Sequence, residues 1–114
     1  MIIQTSLFPL FFFTNVKAIT ISKKLIIVKT GYKTKPLIAH ETCHQKQMEA
    51  LGSFGSVKFW FKYWFSKSFR QAAEVEAYKI SIANGESADL CAMYLSSGYS
   101  LGLSFQQAKD LLTL

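Results

Sequence analysis

The chain has 114 residues, half of them hydrophobic, with a net charge of +6 and two cysteines. That length fits a single domain, residues 1–114, able to bury roughly 65% of the surface its unfolded chain exposes, and the composition excludes a disordered or low-complexity chain. Cys43 and Cys91 belong to no Cys-x-x-Cys pair, which excludes a disulfide framework, and no RRM, KH, helix-turn-helix or zinc-finger spacing accompanies the positive charge.

The N-terminal segment, Met1 to Thr14, contains the apolar run Leu7-Phe8-Pro9-Leu10-Phe11-Phe12-Phe13. It has no basic n-region, a proline interrupts it, Val16-Lys17-Ala18 is a poor cleavage site, and it is shorter than the ~20 residues that cross a bilayer. A buried strand, or a strand plus a loop, is therefore expected in place of an export signal, and with it a cytoplasmic protein, although this apolar segment leaves export open. Ala18-Ile19-Thr20-Ile21-Ser22 and Leu25-Ile26-Ile27-Val28-Lys29 are β-branched runs joined by Lys23-Lys24, which predicts a hairpin or short meander. Thr30-Gly31-Tyr32-Lys33 reads as a turn. Thr34 or Lys35 can then cap a helix with Pro36 in its first turn that runs to about Leu51 and ends at Gly52.

That helix carries His40-Glu41-Thr42-Cys43-His44, the His-Glu-x-x-His spacing. Residues four apart share a helix face, so His40 and His44 can direct imidazole nitrogens at one ion, and Glu41 projects beside it where it can take a proton from water. With only two histidines and five glutamates in the chain, chance yields this arrangement about once in a thousand shuffles. Leu37, Ile38, Cys43 and Met48 are available for the core. Cys43 should point away from the ion, and Gln47, three residues beyond His44, can support it or contact substrate.

Gly52-Ser53-Phe54-Gly55-Ser56 is a break. From Phe54 to Arg70 follow eight aromatic residues and four cations, Lys58, Lys62, Lys67 and Arg70. Three readings fit: aromatics packed as core with lysines snorkelling outward, a membrane-surface segment, or a platform stacking nucleic-acid bases or peptide side chains. Ser68-Phe69-Arg70-Gln71 has capping-box spacing, predicting a helix to about Asn84 that carries Glu74 and Glu76. Ser87 opens a helix over Ala88–Ser96, and Ser104-Phe105-Gln106-Gln107 caps a last one through Leu112. The expected fold is α+β, a mostly helical domain with a small N-terminal β-sheet packed beside the His-Glu-x-x-His helix.

A catalytic zinc takes three protein ligands, and no histidine remains. Gln47 and Ala50 stand where a His-Glu-x-x-His-x-x-Gly-x-x-His pattern needs glycine and histidine, and Glu49 lies half a turn round the helix. Glu74 or Glu76 can reach the histidines if the two helices pack antiparallel, and periodicity leaves the choice open.

His40-Glu-Thr-Cys-His44 followed by Glu74-Val-Glu-Ala77-Tyr78 resembles the gluzincin clan of metallopeptidases. The arrangement of the histidine motif with Gln47, a Trp/Tyr-rich stretch and Glu-x-Glu-Ala-Tyr is similar to the minimal gluzincins, short zincin-like proteins of bacteria and phages. The resemblance covers roughly Leu25 to Asn84. It implies a zinc ion held by His40, His44 and Glu74, with Glu41 as general base. Where many gluzincins place an Asp or Asn that orients a ligand histidine, this chain has Tyr78, whose phenol can take that hydrogen bond or polarise a substrate carbonyl.

The expected function is thus a zinc-dependent peptidase acting on a peptide or protein. Its residues are His40, His44 and Glu74 as ligands, with Glu76 as the alternative third, Glu41 as base, and Gln47 and Tyr78 in support. The alternative is a membrane-surface or nucleic-acid interaction module built on residues 57–70, with zinc structural or absent.

Overall fold

The computed structural model describes residues 2–5, 18–29, 31 and 33–114, and the apolar run Leu7–Phe13, with Thr30 and Tyr32 of the expected turn, lies outside them. Three strands, β1 (Ile2–Thr5), β2 (Ala18–Ser22) and β3 (Leu25–Lys29), form a sheet in the order β1-β3-β2. β2 and β3 make the expected antiparallel hairpin around Lys23-Lys24, and β1 adds to β3 in parallel. The central strand is the best buried, with Ile26, Ile27 and Val28 covered. Of the segment Met1–Thr14, expected as a buried strand or a strand plus a loop, the described part is the strand β1; among the described residues it is an edge strand, with Ile2 and Ile3 38% and 42% exposed.

Five helices follow: α1 (Lys35–Ala50), α2 (Gly55–Phe65), α3 (Lys67–Ala83), α4 (Ala88–Ser97) and α5 (Phe105–Thr113). The fold is therefore α+β with a small sheet near the N-terminus, as expected. Thr34 caps α1 by accepting from the Leu37 N–H, with Pro36 in the first turn, and Gly52 closes the far end at φ 77°. Ser104 and Gln107 form the capping box of α5. The cap of α3 is Ser66, two residues before the expected Ser68. It alone has the extended backbone and accepts from the Phe69 N–H.

α1 and α3 run antiparallel. Ser81 Oγ near the end of α3 donates to the Pro36 carbonyl at the start of α1, while Gln47 near the end of α1 donates to the Ala73 carbonyl. The buried stripe of α3 is Ala73, Glu74, Ala77, Tyr78 and Ser81, and its small members let the two helices approach closely. Met48, Phe59 and Ala73 form a core between α1, α2 and α3, and Tyr78, Cys91, Leu95, Leu101, Ala108 and Leu112 form another between α3, α4 and α5. Gly55 admits α2 to α1: a Cβ there would sit 1.9 Å from the Met48 carbonyl oxygen.

The aromatic-basic segment divides by face. Phe59 is fully buried, and Trp60 and Tyr63 pack with it, whereas Phe61, Trp64 and Phe65 are 66–78% exposed. The expectation that these aromatics pack as core holds for the inner face alone, because a helix of 3.6 residues per turn cannot turn a nearly continuous aromatic run to one side.

Candidate metal centre

Antiparallel packing of α1 on α3 brings three buried side chains to one point. His40 Nε2 and His44 Nε2 lie 3.1 Å apart, and Glu74 Oε1 is 3.1 Å from the first and 3.3 Å from the second. All three residues are at most 6% exposed.

Gln47 determines which atom His44 presents. Its amide nitrogen faces the Ala73 carbonyl at 3.1 Å and a Glu76 carboxylate oxygen at 2.9 Å, which can only accept, so its oxygen must face His44 Nδ1, at 2.9 Å. Nδ1 therefore carries the hydrogen and, in the neutral ring, Nε2 points a bare lone pair at the Glu74 carboxylate. Two lone pairs 3.3 Å apart in a buried site repel unless a positive charge lies between them. In the metal-free protein a proton fills that role. Burial opposes the charged imidazole, but Glu74 outweighs it and holds His44 up to about 9. Burial likewise opposes the Glu74 carboxylate, and the two histidines hold it well below the usual range.

A metal ion fits the same point. Tetrahedral bonds of about 2.0–2.1 Å set ligand atoms about 3.3–3.4 Å apart, against the observed 3.1–3.3 Å. Two imidazole nitrogens and one carboxylate oxygen are also a donor set suited to a divalent transition ion.

The remaining contacts fix the orientation of the carboxylates. The Tyr63 hydroxyl donates to Glu74 Oε2 at 2.5 Å, so Oε1 is the oxygen left for the histidines. Burial and then Glu74 push the Tyr63 phenol far up, which keeps it a neutral donor. The Thr20 hydroxyl, 2% exposed on β2, donates to Glu41 Oε2 at 2.6 Å and lies 3.0 Å from the Glu41 carbonyl. Arg70 donates to the backbone carbonyls of Tyr63 and Tyr99 at 2.9 and 2.8 Å, tying the end of α2 to the loop after α4. The sequence assigns none of Thr20, Tyr63, Arg70 and Tyr99 to the metal centre, although Tyr63 and Arg70 fall within the aromatic-basic segment.

Each expected site residue has a definite place. His40, His44 and Glu74 converge, and Glu41 lines the same cleft of about 870 Å³, as do Tyr63 and Tyr78. Glu76, the alternative ligand, lies on the exposed side of α3 and serves Gln47 and Cys43 instead. Cys43 donates its thiol to Glu76, and burial together with that carboxylate pushes it up to about 12, so it is a neutral thiol in the metal-free protein, directed at Glu76 and outside the group formed by His40, His44 and Glu74. Tyr78 sets its ring against His40, with centroids 4.3 Å apart, but its hydroxyl is hydrogen-bonded to that of Tyr99 at 2.6 Å. It buttresses His40 by contact, and His40 Nδ1 has no hydrogen-bond partner among the described residues.

In comparisons with known proteins, no family model, no curated protein and no solved structure matches the chain.

Proposed function

We propose that the protein is a zinc-dependent peptidase. One observation carries this reading: three oriented ligand atoms meet in a buried corner of a cleft that also holds Glu41, a carboxylate positioned by a single hydroxyl. His40, His44 and Glu74 would hold the ion, which when bound supplies Lewis acidity, polarising a carbonyl and lowering the pKa of water to about 7.

The protein's own groups do the rest. Thr20 pins Glu41 Oε2 and leaves Oε1 for a water. Glu41 takes that water's proton as the oxygen attacks the peptide carbon, then delivers the proton to the departing amine as the C–N bond breaks. The products are a carboxylic acid and an amine, and Glu41 returns to its ionised form. Gln47 holds His44 in the tautomer that exposes Nε2, and Tyr63 keeps Glu74 Oε1 turned inward. The cleft walls include Leu37, Trp60, Trp64, Met93 and Tyr94, which suits an extended peptide with a large apolar side chain beside the scissile bond.

Elemental analysis of the wild type, Glu41→Gln and Glu74→Gln, with peptide-library cleavage by the same samples, tests the reading. Near-stoichiometric zinc in the wild type and Glu41→Gln, reduced zinc in Glu74→Gln, and cleavage by the wild type alone are expected. A folded wild type that can be neither isolated with zinc nor loaded with it refutes the proposal.

A further inference from the structure

The outward face of α2 has no cover among the described residues. Val57, Phe61, Trp64 and Phe65 are 66–78% exposed, and at 100° per residue they fall within a sector about 100° wide. Just before the helix, Phe54 is 80% exposed and held at φ 57°, a left-handed conformation that disfavours any residue with a Cβ. The core does not need these rings, because Phe59, Trp60 and Tyr63 already fill the inner face. A row of clustered exposed rings of this kind, unlike scattered single ones, calls for a partner.

The charged residues of the segment that carries this face are all positive. Lys58 and Lys62 line one flank of the row and Lys67 lies just past its end, all exposed. The hairpin turn adds Lys23 and Lys24: the Lys23 N–H donates to Ser56 Oγ at 3.0 Å, which seats the turn against the first turn of α2. No acidic residue occurs between Glu49 and Glu74.

We propose that this face docks on an anionic lipid bilayer. α2 lies in the plane of the interface, Phe54, Phe61, Trp64 and Phe65 enter the boundary between headgroups and acyl chains, and the lysines meet lipid phosphates. A two-fold dimer through the same face would press lysines toward lysines with no acidic partner on the segment. A base-stacking role fits less well, since Phe61 and Phe65 pack on each other with centroids 4.9 Å apart and leave no slot between them. Trp64 also lines the cleft, so docking brings the mouth of the cleft to the bilayer surface, where chain segments leaving the membrane would be within reach. The docking inference stands on this surface and does not depend on metal binding or hydrolysis.

The test is co-sedimentation and tryptophan fluorescence of the full chain with vesicles of phosphatidylcholine alone, or with about 30% phosphatidylglycerol. Partition at least about tenfold stronger onto the anionic vesicles, a blue shift of emission, and loss of the preference at about 0.5 M salt are expected. The double variant Phe61→Ser/Phe65→Ser should lose at least about tenfold in partition, and Lys58→Glu/Lys62→Glu should lose the anionic preference, both with an unchanged near-UV circular dichroism spectrum. Failure of the wild type to bind either vesicle overturns the proposal, as does binding that neither double variant weakens. Self-association abolished by the phenylalanine variant, or oligonucleotide binding, without vesicle binding would assign the face to a second copy or to nucleic acid and overturn it equally.

Discussion

Tyr63→Phe removes one oxygen atom from the site and leaves the ring. The ring's packing on Phe59 and Trp60, at centroid distances of 5.6 and 5.3 Å, is retained, so the helix should stay in place. What is lost is the hydrogen bond to Glu74 Oε2 at 2.5 Å, made to a carboxylate 3% exposed. A hydrogen bond to a buried charge contributes about 1.5–3 kcal/mol. Loss of a partner that orients a metal ligand typically costs 10–100-fold in affinity, or about 1.4–2.7 kcal/mol. The two estimates agree. Without Tyr63 the carboxylate can also rotate, so that Oε1 no longer sits within 3.3 Å of both histidines. Competition titration with a chromophoric zinc chelator should therefore show Tyr63→Phe binding zinc 10–100-fold more weakly, with its far-UV circular dichroism unchanged. A variant that binds zinc within about threefold of the wild type would refute the claim that Tyr63 sets the ligand atom.

Glu41→Gln should keep zinc and lose cleavage by at least about 10²–10⁴-fold, the usual worth of a general base; metal loss in this variant would mean that Glu41 is a ligand. Thr20→Val, which leaves Glu41 without its fixed partner, should lower kcat with little change in zinc affinity, and kinetics equal to wild type would remove Thr20 from the site. Gly55→Ala drives a Cβ against the Met48 carbonyl and should destabilise the fold by about 1–3 kcal/mol in urea denaturation, whereas an unchanged midpoint would show that α2 is free to move away. In the metal-free protein the raised His44 contributes stability that is complete below its ordinary 6.5 and fades as pH rises toward 9, while the lowered Glu74 contributes stability that fades as pH falls below 4.5. Zinc competes with the His44 proton, so the rise in Tm on adding zinc should grow between pH 6 and pH 8.5, approaching about 9 from below, and a rise that shrinks over that interval contradicts the ligand assignment.

The parts of this protein legible in its sequence are those encoded locally. Thr34, Pro36 and Gly52 bracket α1, Lys23-Lys24 marks the hairpin, and the capping box at Ser104 opens α5, because each signal acts within a few residues of itself. The start of α3 was two residues off because Ser66 and Ser68 both precede an N-terminus and only the backbone of Ser66 is extended. α2 drew no prediction of secondary structure, since a helix apolar on both its inner and outer faces has no clear period to read. The small-residue stripe Ala73, Ala77 and Ser81 marks the side of α3 that α1 approaches, but Glu74 and Glu76 flank it on either side, and which one meets the histidines depends on how the two helices are set: Glu74 reaches His40 and His44, whereas Glu76 reaches Gln47 and Cys43. Thr20, Tyr63 and Arg70 give no signal for the site at all. They reach partners 21, 11 and 29 residues away, and their residue types are ordinary in a strand or helix.

Those distant partners hold the two buried carboxylates, Glu74 and Glu41, in different ways. Glu74 is committed at both oxygens: Tyr63 holds Oε2 and the two histidines surround Oε1. Among the described residues only Thr20 holds the Glu41 side chain, through Oε2, leaving Oε1 unengaged beside the cleft. A ligand needs the first arrangement, since an oxygen free to rotate binds an ion poorly. A base needs the second, because an oxygen already saturated with hydrogen bonds holds its charge too well to accept a proton. On the proposed reading, two hydroxyl groups on two different elements turn a pair of similar acids into one that would bind the ion and one that would take a proton. A His-Glu-x-x-His helix lacking those hydroxyls would retain metal more readily than it would retain catalysis.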